Sequence, residues 1–135
     1  MRRPRFRTLA HAADVRVAIW GDDEDDLIGN AVLAATAVAL GRVRRCAPSR
    51  RAAIRPWPRD LPSRLVRAVN EALFRLYNRS ELAVGFERDG GGARLLLARL
   101  PAGRQPVSEI KAATWHDLRP RRRGGRLSAV MTLDL

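Results

Sequence analysis

Asp14-Val15-Arg16-Val17-Ala18-Ile19-Trp20-Gly21-Asp22-Asp23-Glu24-Asp25-Asp26-Leu27-Ile28 changes its hydrophobic period at Gly21. Before the glycine, Val15, Val17 and Ile19 share one parity with Arg16 and Ala18 between them. That is the two-residue repeat of a strand, running from about Leu9 to Trp20, with one buried face. After it, Leu27, Ile28, Ala31, Val32, Ala35, Val38 and Ala39 recur at helical spacing until Gly41 can close the helix. The acids in between fall in the first helical turn, where carboxylates complement the positive end of the helix dipole. Capping therefore accounts for Asp22 to Asp26 better than metal binding does.

Working outward, Arg50 to Trp57 reads as a short strand bounded by Pro56 and Pro58. A second helix follows: Asp60 can cap it, Pro62 suits its first turn, and Leu61, Leu65, Val66, Val69, Leu73 and Leu76 form its apolar stripe, with Asn78 at its end. Leu82 to Glu87 and Ala93 to Leu100 flank Asp89-Gly90-Gly91-Gly92, the pattern of a hairpin with a glycine turn. A proline-containing loop leads to a strand near Glu109 to Leu118, a basic turn at Arg121 to Gly125, and a last strand from Arg126 to Leu133. The order β-α-β-α-β-β-β-β predicts an α+β fold. Two helices pack on a largely antiparallel sheet, in one two-layer domain spanning residues 1–135.

The chain has 135 residues, 46% of them hydrophobic, enough for one core without disulfides. Charged residues interrupt every apolar stretch, so no transmembrane helix is expected, and the basic start before Asp14 lacks the apolar core of a signal peptide. The one cysteine, Cys46, cannot form an internal disulfide, which predicts a reducing, cytoplasmic setting. The net charge is +12 and the sequence pI about 11.7, a field that attracts polyanions. One consequence would be a nucleic-acid-binding module whose Arg42, Arg44, Arg45, Arg50, Arg51 and the run from Arg119 to Arg126 track phosphate. An arginine-rich composition with no such site is the other. At 5% aromatic content, base stacking has few residues to use.

Lys+Arg total 26, yet Lys111 is the single lysine. Its compact ammonium suits contact with one oxygen, where guanidinium presents a planar fork; a chance solvated lysine is the plainer reading. It lies in Glu109-Ile110-Lys111-Ala112-Ala113-Thr114-Trp115-His116-Asp117-Leu118, where strand alternation would put Lys111, Ala113, Trp115 and Asp117 on one face. His11-Ala12-Ala13-Asp14 precedes the first long strand, and Met131-Thr132-Leu133-Asp134-Leu135 is the other end. There a terminal carboxylate beside Asp134 would repel it, a repulsion that a hard divalent cation relieves. Asp14 would add a third carboxylate and favour Ca²⁺ over Zn²⁺, since no thiolate or histidine cluster accompanies them. Nucleophile signatures, a P-loop, a dinucleotide fingerprint and zinc spacing are all missing, so an autonomous enzyme is not supported.

Taken together, these segments resemble the archease family, small accessory proteins of the GTP-dependent tRNA-splicing RNA ligase. The family's opening His-Thr-Ala-Asp-hydrophobic-x-hydrophobic is similar to His11-Ala12-Ala13-Asp14-Val15-Arg16-Val17. Its Gly-Asp with an acidic helix start ending in Asn-Ala is similar to Gly21-Asp22 through Asn30-Ala31. Glu-Val-Lys-Ala-x-Thr-Tyr-His resembles Glu109 to His116, and the Ile-Leu-Asp-hydrophobic terminus resembles Thr132 to Leu135. The resemblance implies that Asp14, Asp134 and Leu135 bind a divalent metal, typically calcium, and that Lys111, with His11 and His116, lies on the partner surface. It implies a non-catalytic role in tRNA splicing: promoting guanylylation and multiple turnover of the ligase. The chain departs from the family in having Ala12 for threonine, Trp115 for tyrosine, a short loop before Glu109 without a familiar histidine, and a strongly basic charge. A diverged relative serving another RNA-modifying enzyme shares these features.

Overall fold

The computed structural model describes residues 5–9, 14–42, 46–114 and 118–135. The elements are β1 (Phe6–Leu9), β2 (Asp14–Gly21), α1 (Glu24–Leu40), β3 (Arg50–Ala53), α2 (Leu61–Arg79), β4 (Glu81–Asp89), β5 (Gly92–Arg99), β6 (Ala112–Thr114), β7 (Arg121–Arg123) and β8 (Arg126–Asp134). The fold is α+β, with two helices and antiparallel strands throughout. The strands divide between two sheets. One runs β1-β2-β8-β6, with β7 also pairing β8; the other is β3-β5-β4. The division follows from α1: Leu27, Ile28, Ala31, Val32, Ala34, Ala35, Thr36, Ala37 and Ala39 are buried, so almost its whole circumference needs cover. It receives that cover from β2 and β8 on one side, β4 on another and α2 on a third. Its many alanines permit these close approaches.

The acidic run is spent on starting α1. Asp23 is its N-cap and accepts from the Asp26 N–H at 2.8 Å. Asp26 Oδ2 in turn accepts from the Asp22 N–H at 2.8 Å and from Arg5 at 3.0 Å, and Asp22 pairs with the same guanidinium at 3.1 Å. Capping, expected from the sequence, is what Asp23 and Asp26 do, while Asp22 pairs with Arg5 and Asp25 with Arg88. Gly21 ends β2 directly against this turn, and Gly41 closes the helix in the left-handed conformation, φ 80°. In α2, Asp60 accepts from the Ser63 N–H at 3.0 Å, and that bond holds its carboxyl below the usual range. Its end lies one residue past Asn78, at Arg79, with Ser80 in the left-handed region.

Several strand boundaries differ from those read in the sequence, the first among them: Leu9 belongs to β1 and pairs with Arg16 of β2, which runs from Asp14 to Gly21. β3 stops at Ala53, short of Trp57, since Pro56 and Pro58 have no N–H to continue a ladder. The hairpin turn tightens to Gly90-Gly91, and β4 carries a bulge between Ala83 and Gly85. β1 and β7, too short for a periodic signal, cover edges of the large sheet. In the Glu109–Leu118 segment the described strand residues are Ala112–Thr114, with Glu109 to Lys111 outside the strand; residues 115–117 lie outside the described residues.

A Cβ at Gly21 would lie 2.6 Å from the Leu27 nitrogen and 2.9 Å from the Asp26 carbonyl carbon, backbone atoms that cannot swing aside. Gly21→Ala should therefore cost about 1–3 kcal/mol in chemical denaturation; an unchanged midpoint would mean the strand–helix approach is looser than this. Glu81 accepts from Arg50 at 2.7 Å and from Arg75 at 3.2 Å, which hold its carboxyl below the usual range. A lowered folded-state value stabilises the protein above the unfolded value, 4.5, and is lost as pH falls from there. Glu81→Gln should flatten that part of the stability–pH profile.

Candidate functional site

β2 and β8 pair over eight positions without a register shift, from Gly21↔Leu127 to Asp14↔Asp134. Val17 and Ile19 on β2 face the core with Ala129, Met131 and Leu133 on β8, so alternation sends Asp14 and Asp134 together to the opposite face. Directly opposed residues have Cβ atoms about 5 Å apart. The two carboxylates named in the sequence as potential ligands are thus cross-strand neighbours. Asp14 is half-buried, with Oδ1 screened from solvent, whereas Asp134 is exposed. Leu135 follows directly and is exposed.

The Lys111 segment joins the same row. Ala112 is the β6 partner of Asp134, and the Lys111 N–H donates to the Asp134 carbonyl at 2.8 Å. Asp134 therefore has Asp14 on one flank and the Lys111–Ala112 backbone on the other, so residues remote in sequence converge. The alternation expected at Lys111 does not hold: Ala113 is buried and Lys111 exposed, because Lys111 precedes the strand. His11 and His116, with Trp115 and Asp117, lie outside the described residues. Among the described residues no three His, Cys, Asp or Glu side chains gather as a metal cluster. A cation held by Asp14 and Asp134 would need further oxygens from the main chain at Leu135 or from water.

Two side chains that sequence reasoning missed fix the Lys111 segment to α2. Tyr77 Oη donates to the Ser108 carbonyl at 2.7 Å and accepts from the Ile110 N–H at 2.9 Å. Asn70 Oδ1 accepts from the Ala113 N–H at 2.7 Å, on the edge of β6 turned away from β8. Seven residues apart, they share one face of the helix. Burial pushes the Tyr77 phenol up, against the Ile110 N–H, which favours its ionised form. A polar residue and the chain's one tyrosine at that spacing beside an apolar stripe were the available signal.

The arginines expected to track phosphate do not act as one group. Arg50 pairs with Glu81 and Arg51 with Glu87, Arg42 is exposed, and Arg44 and Arg45 lie outside the described residues. Arg119, Arg121 and Arg126 line a cleft on the outer face of the large sheet. No described helix is long and apolar enough to cross a membrane. Cys46 is exposed and unpaired by any disulfide.

Fold and site thus define a class: an α+β protein with two helices on antiparallel sheets and a carboxylate pair where its first long strand meets its last. Residues 6–135 match the Archease protein family (MTH1598/TM1083), and the chain belongs to that family. Solved structures share the fold, two of them as follows. One, described as an archease and possible chaperone (TM1083) from Thermotoga maritima, is 20% identical, with a TM-score of 0.65 over 100% of this chain and 98% of that one. The other, protein 1598 of Methanobacterium thermoautotrophicum, is 23% identical, with a TM-score of 0.69 over 98% of this chain and 100% of that one. No curated protein matches the sequence.

Tyr77→Phe removes the hydroxyl that bridges Ser108 and Ile110 and should cost about 1 kcal/mol. Amide exchange at Ile110 and Lys111 should quicken while the β4–β5 hairpin is unaffected. Equal protection in both variants would show that the hydroxyl does not hold the segment.

Proposed function

We propose that this protein is a cytoplasmic, metal-binding accessory factor that promotes guanylylation and multiple turnover of the GTP-dependent tRNA-splicing RNA ligase, without performing ligation itself. Family membership supports the accessory role, and the description of the Thermotoga maritima relative as a possible chaperone agrees with it. The observation that carries the reading is the Asp14↔Asp134 register with Lys111 alongside. Two opposed carboxylates repel, and the packed ladder keeps them from separating; that is the donor chemistry a hard cation satisfies. Asp14, Asp134 and Leu135 would hold the ion, Ca²⁺ by their all-oxygen character. Bound there, it would supply positive charge fixed at the sheet edge. The chain's own contribution is to hold the carboxylates in register and to anchor the backbone of the exposed Lys111 against Asp134. A point charge in that place suits one phosphate or carboxylate oxygen on the ligase. His11 and His116, which lie outside the described residues, are assigned to the partner surface on the resemblance alone.

Multiple-turnover RNA ligation by the ligase of the same cell, with and without this protein, tests the role. Wild type should stimulate, and Asp134→Ala and Lys111→Ala should lose most of the effect. Ca²⁺ affinity by calorimetry should fall at least tenfold in Asp14→Ala and when residues are added after Leu135. Stimulation that survives both Asp14→Ala and Asp134→Ala would remove the carboxylates from the working site. If wild type does not stimulate an active ligase, the readings that remain are service to another RNA-modifying enzyme and direct nucleic-acid binding.

A further inference from the structure

The outer face of the large sheet, turned away from α1, gathers positive charge that the sequence scatters. On β2, Arg16, Ala18 and Trp20 alternate with the buried Val17 and Ile19. Register adds Arg7 of β1 opposite Ala18, Ser128 of β8 opposite Trp20, and Arg121 of β7 opposite Ser128. With Arg119 and Arg126 these residues line a cleft of about 480 Å³, and the Arg126 guanidinium lies 5.2 Å from the centre of the Trp20 ring.

Carboxylates are spent elsewhere. Glu71, Glu81 and Glu87 serve Arg50, Arg51, Arg67, Arg75 and Arg94; Asp22 and Asp26 serve Arg5; Asp25 serves Arg88; and Asp89 serves Arg94. Among the described residues no carboxylate pairs with Arg7, Arg16, Arg119, Arg121 or Arg126. Like charges held on a rigid pleat repel, and a polyanion relieves the repulsion while releasing its own counterions. An aromatic ring in the middle of such a face is a stacking platform for a base. A lipid surface fits less well, because the large exposed apolar side chains, Phe74, Val107 and Leu135, all lie outside the cleft.

We propose that this face binds single-stranded nucleic acid, its phosphates on Arg7, Arg16, Arg121 and Arg126 and a base against Trp20. The same face ends at Asp14 and Asp134, six residues or about 20 Å along β2 from Trp20. A strand lying along β2 and β8 would therefore run towards the carboxylate pair. Binding at the arginine end does not depend on that pair or on any ligase.

The test is fluorescence anisotropy of a labelled oligoribonucleotide of about 12 nucleotides, titrated with the whole protein at several salt concentrations. Arg7→Gln/Arg16→Gln/Arg126→Gln should weaken binding at least tenfold and flatten the log–log salt slope by about 2. A control with the same loss of charge, Arg42→Gln/Arg99→Gln/Arg104→Gln, should weaken it less than about threefold. Trp20→Leu should cost about tenfold for RNA and nothing for inorganic polyphosphate. All the substituted arginines are exposed or half-exposed, and circular dichroism verifies that each variant is folded. Equal weakening by the two triple variants would reduce the effect to bulk attraction by a +12 chain and overturn the proposal. So would absence of binding, or displacement of RNA by polyglutamate as readily as by unlabelled RNA, which would make the face a receptor for an acidic polypeptide.

Discussion

The antiparallel ladder between β2 and β8 is the constraint on which the rest of the molecule depends. Its register decides two things at once. Towards the helices it sends Val17, Ile19, Met131 and Leu133, all fully buried; towards solvent it sends Asp14 and Asp134 as direct neighbours. A slip of one residue would exchange the faces, exposing the apolar set and burying the carboxylates. The magnitudes favour the observed register by a wide margin. Each buried aliphatic side chain is worth about 1.5–3 kcal/mol, against a few tenths to about 1 kcal/mol for like charges opposed across a pair. The core can therefore hold two carboxylates in a position they would not choose, and a surface site becomes rigid without any contacts of its own.

Helix α1 extends that constraint to the second sheet. It must start where β2 stops, and Gly21 makes room by letting the strand meet the first turn of the helix at backbone distance. Asp23 and Asp26 close the open N–H groups there, and Arg5, just ahead of β1, ties Asp22 and Asp26 to the same corner. From that fixed origin the all-round apolar helix lies between the large sheet and β4, with α2 along its remaining side. Through Tyr77 and Asn70, α2 then returns to the large sheet and sets the Lys111 segment against β8. The candidate site thus rests on both helices, although neither contributes a residue with an obvious chemical role.

Much of this was legible in the sequence, for physical reasons. The period change at Gly21, capping by the run Asp22 to Asp26 and by Asp60, the closing Gly41 and the glycine turn of the hairpin are local signals, set by residues within a few positions of one another. What stayed hidden was non-local. Alternation tells which residues share a face of a strand but not which strand lies beside it, so the division into two sheets could not be read. The meeting of Asp14 with Asp134 was not visible for the same reason; motif resemblance suggested it, and pairing geometry places it. At Lys111 the alternation failed because the residue precedes β6: its N–H still reaches β8, while Ser108 and Ile110 just before it are held by Tyr77. Arg7 and Arg16 escaped notice as isolated cations, while the conspicuous Arg50 and Arg51 prove to be neutralised by glutamates.

That last contrast bears on what a strongly basic composition means. Arginine used only as filler would be expected to fall wherever the surface is solvated, near acids and away from them. Here the carboxylates gather around α2, the small sheet and the start of α1, and most of the arginines there, Arg5, Arg50, Arg51, Arg67, Arg75, Arg88 and Arg94, are paired. On the outer face of the large sheet the described arginines have no acid across the pleat until the far end, where Asp14 and Asp134 stand together. Positive charge at one end of a face and negative charge at the other make an oriented electrostatic surface. Such a surface can align a polyanion along the strands and repel it from the carboxylate end unless a cation intervenes.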